Sequence, residues 1–382
     1  MTHLPGSVTF NKAGRSAVVV FSISSMNKSR ALIYGVVLAV LAGLVYLQFQ
    51  HWRTFDWGKF IEHTRDVSWR HVIHGVLFTY FAYVLRAYRW KVFLQPVRKD
   101  TSTLGLVSPT VVGFTGLALL GRPGELIRPY LIARRLNLSF SSQLAVWMVE
   151  RIFDVGAFTV LILGGIFLPT KLRAFAEARP VYDHWLHVSG YMLSALVAGL
   201  VCVTLLISYR GPSVADWVEI RFAHLAKGLG KRIALRIREF ACGLNTIHGA
   251  FALLQISVVS VLMWWMIAIS YKEVTHAYGA PMQFMSVTKV LLLMGSSMVG
   301  SMLQLPGVGG GAQLATIEVL DKVFDVPREL AVSCGILLWL VSFVAIVPIG
   351  LLFAHHERLS LRKVAEESEK AEAAEVSTNK TS

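Results

Sequence analysis

The stretch Gly121-Arg122-Pro123-Gly124-Glu125-Leu126-Ile127-Arg128-Pro129 follows an apolar run and breaks it with charge, glycine and proline. Two arginines and a glutamate stand where a membrane helix should still be hydrophobic. Gly121 and Gly124 tolerate φ > 0, whereas Pro123 and Pro129 have no N–H to donate, so the backbone is expected to turn here. In lipid such a turn survives only where protein or a water-filled cavity covers it. The segment is therefore an expected wall of a polar site at membrane depth.

Composition supports a membrane setting without any motif. Hydrophobic residues make up 54% of 382 and charged residues 16%, and mean hydropathy is +0.56. The apolar residues form runs long enough to span a bilayer, so the expected class is an all-α polytopic membrane protein. A net charge of +14 could indicate nucleic acid, but the basic residues lie in short segments between apolar runs, as cytoplasmic membrane loops require. Anionic lipid headgroups are the expected partners, and nucleic acid is not. Cys202, Cys242 and Cys334 have neither disulfide nor metal spacing and read as small apolar fillers.

The first 30 residues are polar and basic, and Met26 before Asn27-Lys28-Ser29-Arg30 makes a natural start, so residues 1–25 read as disordered or untranslated. Residues 31–49 form the first span, leaving a basic, cytoplasmic side. Residues 52–70 mix tryptophans with charge, as an outer interfacial segment does. The run 71–94 returns inward and ends among Arg86, Arg89, Lys91, Arg98 and Lys99, read as a basic exit. A crossing at 104–120 would strand Arg122, Arg128, Arg134 and Arg135 outside, so a re-entrant hairpin opening to the cytoplasm is expected instead.

Residues 144–168 cross outward and 188–208 return. In 209–246 the apolar residues Val218, Phe222, Leu225, Leu229, Ile233 and Ile237 recur at steps of three or four, the stripe of an interfacial helix. Residues 247–271 and 331–353 are further spans, separated by a second glycine-broken hairpin, 287–305 and 312–323, entered from outside. The expected architecture is about six full spans plus two re-entrant hairpins related as inverted repeats, eight spans by hydropathy, with both termini cytoplasmic. Residues 31–355 form the membrane domain, and the polar tail 356–382 is expected to be disordered or a frayed helix.

Glu150, Arg151 and Asp154 fall inside the 144–168 span. Each charge at the bilayer centre costs about 2.5–3.5 kcal/mol on insertion scales, so these must be paired or wet. Arg151 reaches Asp154 at i+3, and one carboxylate remains for Arg122 or Arg128. Guanidinium suits a phosphate diester, so Arg122, Arg128 and Arg151 are the candidate headgroup ligands. Glu125, Glu150 and Asp154 would orient them or exchange protons. Because these three carboxylates formally balance the three arginines, binding an anion should require rearrangement or protonation, which implies proton coupling.

Gly121, Gly124, Gln304, Pro306, Gly307, Gly309, Gly310, Gly311 and Gln313 are the expected cavity-lining positions, although the glycine run reads equally well as close helix packing. It lacks the Lys-Ser/Thr of a nucleotide loop. His74, His248 and His276 sit near span ends and read as interfacial, no His/Cys/carboxylate set has metal spacing, and no cofactor is expected.

At these residues the chain resembles the flippase-like membrane domain of lysylphosphatidylglycerol synthases, a family with many stand-alone members. The resemblance rests on Gly121, Gly124, Glu125 and Arg128 as Gly-x-x-Gly-Glu-x-x-Arg, on Glu150, Arg151 and Asp154 as Glu-Arg-x-x-Asp, and on the Pro-Gly loop from Pro306. The family carries a glutamate shortly after that loop, where this chain has Gln313. The resemblance implies re-entrant hairpins and translocation of a phosphate-bearing lipid, an anionic phospholipid or a polyprenyl-phosphate carrier, in a bacterial-type cytoplasmic membrane. The aminoacyltransferase domain of the synthases is not expected, because 356–382 is charged or small. Two other readings stay open. One is an intramembrane enzyme on a lipid-linked phosphate or sugar, with Glu150 or Asp154 as base; the other is an accessory subunit of a membrane glycosyltransferase. A homo-oligomer or a membrane enzyme partner is compatible with each of these readings.

Overall fold

The computed structural model describes residues 55–167, 250–280, 282–302, 310–357 and 359–381, with isolated positions between 195 and 221. The expected spans 31–49 and 188–208, the segment 1–30 and nearly all of the 209–246 helix lie outside the described residues. Every described element is helical: α1 Trp57–Arg65, α2 Trp69–Leu94, α3 Thr103–Leu120, α4 Ile127–Leu136, α5 Phe140–Phe167, α6 Ala250–His276, α7 Val287–Met302, α8 Gly310–Glu318, α9 Arg328–Trp339, α10 Ile346–His356 and α11 Leu361–Thr381.

Among the described residues three stretches are long and apolar enough to cross a membrane, namely Thr103–Leu120, Phe251–His276 and Arg328–His356. Helices α2 and α5, of 26 and 28 residues, match them in length but carry internal charge. At 1.5 Å per residue each extends about 40 Å, enough for a hydrocarbon core of about 30 Å. Their surfaces follow an inside-out pattern. On α2, Ile73, Leu77, Phe81 and Val84 make an exposed apolar stripe, while Thr79, Arg86 and Arg89 are buried. On α6, Leu254, Val258, Leu262 and Trp265 are exposed and Ser260 and Ser270 buried. Contiguous apolar exposure of this kind suits lipid rather than water.

Helices α2 and α6 pack along their length because small residues let the backbones approach. A Cβ on Gly75 would lie 3.1 Å from Val274 Cγ2 and 3.4 Å from the Ser270 carbonyl. Ser270 Oγ donates to the Gly75 carbonyl at 2.8 Å, and Thr79 Oγ1 lies 2.9 Å from Ser270 Oγ.

The first helical hairpin is built by its glycines. Helix α3 ends where Gly121 takes φ 69°, one tight 3-10 turn covers Arg122–Leu126, and α4 runs back along α3. A Cβ on Gly124 would sit 2.2 Å from the Gly116 carbonyl, one on Gly116 2.4 Å from Ile127 Cδ1, and one on Gly113 2.4 Å from Arg128 Cβ. This contact puts the start of α4, and so Arg128, against the middle of α3. The second hairpin, α7 and α8, closes likewise, with Gly300 against Gly311 and Ala315.

Between α9 and α10 the helix widens into a π turn, Leu340–Val344. Pro348, near the start of α10, cannot donate to the carbonyl four residues back, which frees the backbone at this turn. Tyr80 donates to the adjacent Ala345 carbonyl at 2.6 Å. The turn thereby presents Ser342 and Phe343 to the interior.

Of the two states expected for the tail, the described residues are helical. Residues Leu361–Thr381 form a helix, and Val364, Ala365 and Ser368 are buried, the first two packing with Val112, Ile127, Leu131 and Ala354. Two small apolar groups among charges were enough to dock it, aided by Tyr130 donating to Glu367 at 2.9 Å. Cys334 is fully buried in the core, as a small apolar filler would be.

Candidate functional site

Glu150 lies on the middle of α5 and is completely buried. Arg89, on α2 and equally buried, donates Nη2 to Glu150 Oε1 at 2.5 Å. Its Nη1 donates to Asp154 Oδ1 at 2.7 Å and to Ser260 Oγ at 2.8 Å. Arg128, delivered by the α3–α4 hairpin and only 3% exposed, donates Nη1 to Glu150 Oε1 at 3.1 Å and Nη2 to Glu150 Oε2. Its guanidinium lies 4.4 Å from the Trp90 ring centroid and 5.1 Å from that of Phe114. Arg151 approaches from the other side, 3.7 Å from Glu150 and 3.5 Å from Asp154, with its side chain 46% exposed. Trp264 donates Nε1 to Asp154 Oδ1 at 3.2 Å.

The fold thus brings Arg128, Glu150, Arg151 and Asp154 together. Glu125 is half-buried in the 3-10 turn and forms no ion pair with another described residue. The Arg122 side chain and residues 303–309, which hold Gln304, Pro306, Gly307 and Gly309, lie outside the described residues.

Two corrections concern α2. Arg86 and Arg89, read from sequence as part of a basic exit, are buried on its inner face. The ion balance changes accordingly. Four guanidiniums, from Arg86, Arg89, Arg128 and Arg151, face two carboxylates, from Glu150 and Asp154. Among the described residues the one-to-one balance of arginine and carboxylate read from sequence does not hold, because Arg86 and Arg89 join the cluster. The signal for this was present in sequence: Arg86 and Arg89 stand three apart on one helix face, with Trp90 following.

Arg86 is the cation left over. It is 8% exposed, and no described carboxylate comes within the 4.0 Å of an ion pair. Its guanidinium instead lies 4.8 Å from the Phe114 centroid and 6.0 Å from that of Trp264. It faces a cavity of about 160 Å³ enclosed by α2, α3, α6, α7 and the π turn. Its lining includes the polar residues Thr79, Tyr83, Arg86, Tyr271, Ser297, Ser301 and Ser342, and among the described residues no acidic one lines it. Its apolar walls include Phe114, Met294, Met298 and Phe343.

Of the described candidates, Gly121, Gly124, Gly310, Gly311 and Gln313 do not line this cavity. Gly124 and Gly311 are occupied in helix packing, Gly121 and Gly310 take φ of 69° and 55°, and Gln313 is half-buried on α8. Away from the ion cluster, His71, His74 and Glu273 present ligand atoms within 4.8 Å of one another, a grouping that spacing along the sequence does not reveal. Two helices 202 residues apart in sequence supply the pieces.

The sequence pattern described as the lysylphosphatidylglycerol synthase TM region matches residues 32–350. A UPF0104 membrane protein of Methanothermobacter thermautotrophicus is 25% identical over 298 residues, covering 75% of this chain and 83% of the relative. No solved structure matches the chain. With a match extending through both helical hairpins and the buried ion cluster, this multi-pass membrane protein belongs to the lysylphosphatidylglycerol synthase TM region family.

Proposed function

We propose that the protein translocates a phosphate-bearing lipid between membrane leaflets, taking the headgroup at Arg86. One observation carries the proposal: a buried guanidinium that pairs with no described carboxylate, facing a cavity with no acidic side chain among its described lining residues. Removing an ion from water costs several kcal/mol even after relaxation, and cation–π contacts return only about 0.5–2 kcal/mol. An incoming anion supplies the missing compensation. Ser297, whose Oγ accepts from the Tyr271 hydroxyl, keeps its own proton to donate to a phosphate oxygen, and Met294, Met298 and Phe343 offer apolar surface to the acyl or prenyl chains. Arg128, held bidentately by Glu150, serves to fix the hairpin against α2 and α5 rather than to grip the lipid.

The same arrangement disfavours the enzymatic reading, because both oxygens of Glu150 are engaged by guanidiniums and make a poor general base. In the full architecture we propose, the α3–α4 and α7–α8 hairpins are re-entrant inverted repeats among six spans, with both termini cytoplasmic. The lipid is an anionic phospholipid or a polyprenyl-phosphate carrier.

The test is reconstitution of purified protein in liposomes with fluorescent anionic phospholipid, reading leaflet exchange by dithionite quenching. Arg86→Ala is expected to slow exchange by at least about tenfold, the equivalent of 1.4 kcal/mol, with Arg86→Lys intermediate because ammonium lacks the planar fork. Undiminished exchange by folded Arg86→Ala protein refutes the assignment. Recovery of a chemically altered lipid would replace translocation with catalysis.

A further inference from the structure

At the far end of α2 from the ion cluster, His71 and His74 stand one helical turn apart and face Glu273 on α6. His71 Nδ1 lies 2.8 Å from Glu273 Oε2 and His74 Nδ1 3.4 Å from the same oxygen. We propose that these three side chains bind a divalent metal ion of the zinc class and clamp this end of α2 to α6.

The donor set decides the ion. Two imidazoles and one carboxylate match the nitrogen and oxygen ligands of zinc, whereas calcium and magnesium prefer oxygen alone. Zinc bonds of about 2.0–2.1 Å in tetrahedral geometry place ligand atoms roughly 3.3 Å apart. The His74–Glu273 separation of 3.4 Å already meets that spacing, and all three ligand atoms lie within 4.8 Å of one another, so rotamer adjustments suffice. The side chains are 38%, 45% and 21% exposed for His71, His74 and Glu273, so an ion can reach them.

A fourth group stands beside the set. The His276 ring centroid is 6.2 Å from that of His71, and its Nε2 is buried without a hydrogen-bond partner. His276 lies three residues after Glu273 on the same helix face, so one turn of α6 can offer both a carboxylate and an imidazole. The position gives the clamp a mechanical consequence. Gly75 follows His74 where α2 packs against Ser270 and Val274 of α6, and Ser68, just before α2, donates its N–H to the Ala277 carbonyl at 2.8 Å. Metal here would hold fixed a crossing that backbone contacts already bring close. The site is distinct from the proposed lipid site, since His74 and Arg86 are separated by roughly 18 Å along α2 at 1.5 Å per residue.

The experiment uses full-length protein purified in detergent without a polyhistidine tag, stripped with chelator, and titrated with Zn²⁺ against a chromophoric competitor. We expect one zinc per chain, no competition from excess Mg²⁺ or Ca²⁺, and a zinc-dependent rise in melting temperature. The His71→Gln/His74→Gln double variant and Glu273→Gln should each lose at least about tenfold in zinc affinity, the loss typical of even an outer-sphere partner. Both should retain wild-type melting without zinc. Zinc-edge absorption should show nitrogen scatterers at about 2.0–2.1 Å. Wild-type protein that binds no more zinc than the double variant overturns the proposal. So does a melting loss in the variants that appears without zinc and is unaffected by it, since that is the behaviour of a plain His71–Glu273 ion pair.

Discussion

Replacing Glu150 with glutamine should be more damaging than removing either arginine it holds, and the contacts say by how much. Arg89 would keep Asp154 at 2.7 Å and Ser260 at 2.8 Å, so its charge stays compensated. Arg128 has no second carboxylate, and only the rings of Trp90 and Phe114 would remain. Glu150→Gln thus strands one buried guanidinium, a change worth about 3–5 kcal/mol. Arg128→Met is milder, because Glu150 retains Arg89 at 2.5 Å and Arg151 at 3.7 Å. Combining the two substitutions removes the stranded charge, so the double variant should recover at least about 1 kcal/mol relative to Glu150→Gln. The assay is equilibrium unfolding in mixed micelles titrated with denaturing detergent, completed as a double-mutant cycle. Additive losses, or Arg128→Met costing as much as Glu150→Gln, would refute this account of the cluster.

Other perturbations test the fold around the cavity. Gly124→Ala would force a methyl group to 2.2 Å from the Gly116 carbonyl, and Gly350→Ala one to 1.7 Å from Thr115 Oγ1; each should cost about 1–3 kcal/mol or more, read as a lowered melting temperature. The Gly124 substitution should also displace Arg128 and so lower lipid exchange. Tyr80→Phe removes the donor to the Ala345 carbonyl and should cost about 1 kcal/mol in the same micelle titration. Deleting residues 361–381 uncovers the surface under Val364 and should destabilise the protein by about 1.5–3 kcal/mol, while an unchanged melting temperature would show the helix to be dispensable.

The hairpin at Gly121 was legible because its cause is local: glycine permits the positive φ and proline withholds a donor whatever surrounds them. The membrane setting was legible for a similar reason, since hydropathy sums over neighbours in sequence. Arg151 and Asp154 could be paired on helix periodicity alone, and the structure has them 3.5 Å apart. The docking of the tail was not legible, because its few apolar groups, Val364 and Ala365, gain their worth only from the surface they meet. Arg86 and Arg89 were misread because a basic residue near a helix end looks the same whether it reaches for water or turns inward.

The sequence by itself determined the class, the apolar helices, the broken backbone and the presence of intramembrane charge, all properties of residues adjacent along the chain. Only the tertiary structure decided which charge answers which. Glu150 draws Arg89 from 61 positions away and Arg128 from 22, Asp154 is taken by Arg89 and Arg151, and Arg86 is left facing the cavity. That allocation depends on helix rotation and glycine-limited approach between distant segments, because an ion in low dielectric takes the counter-charge that packing brings within a few ångströms.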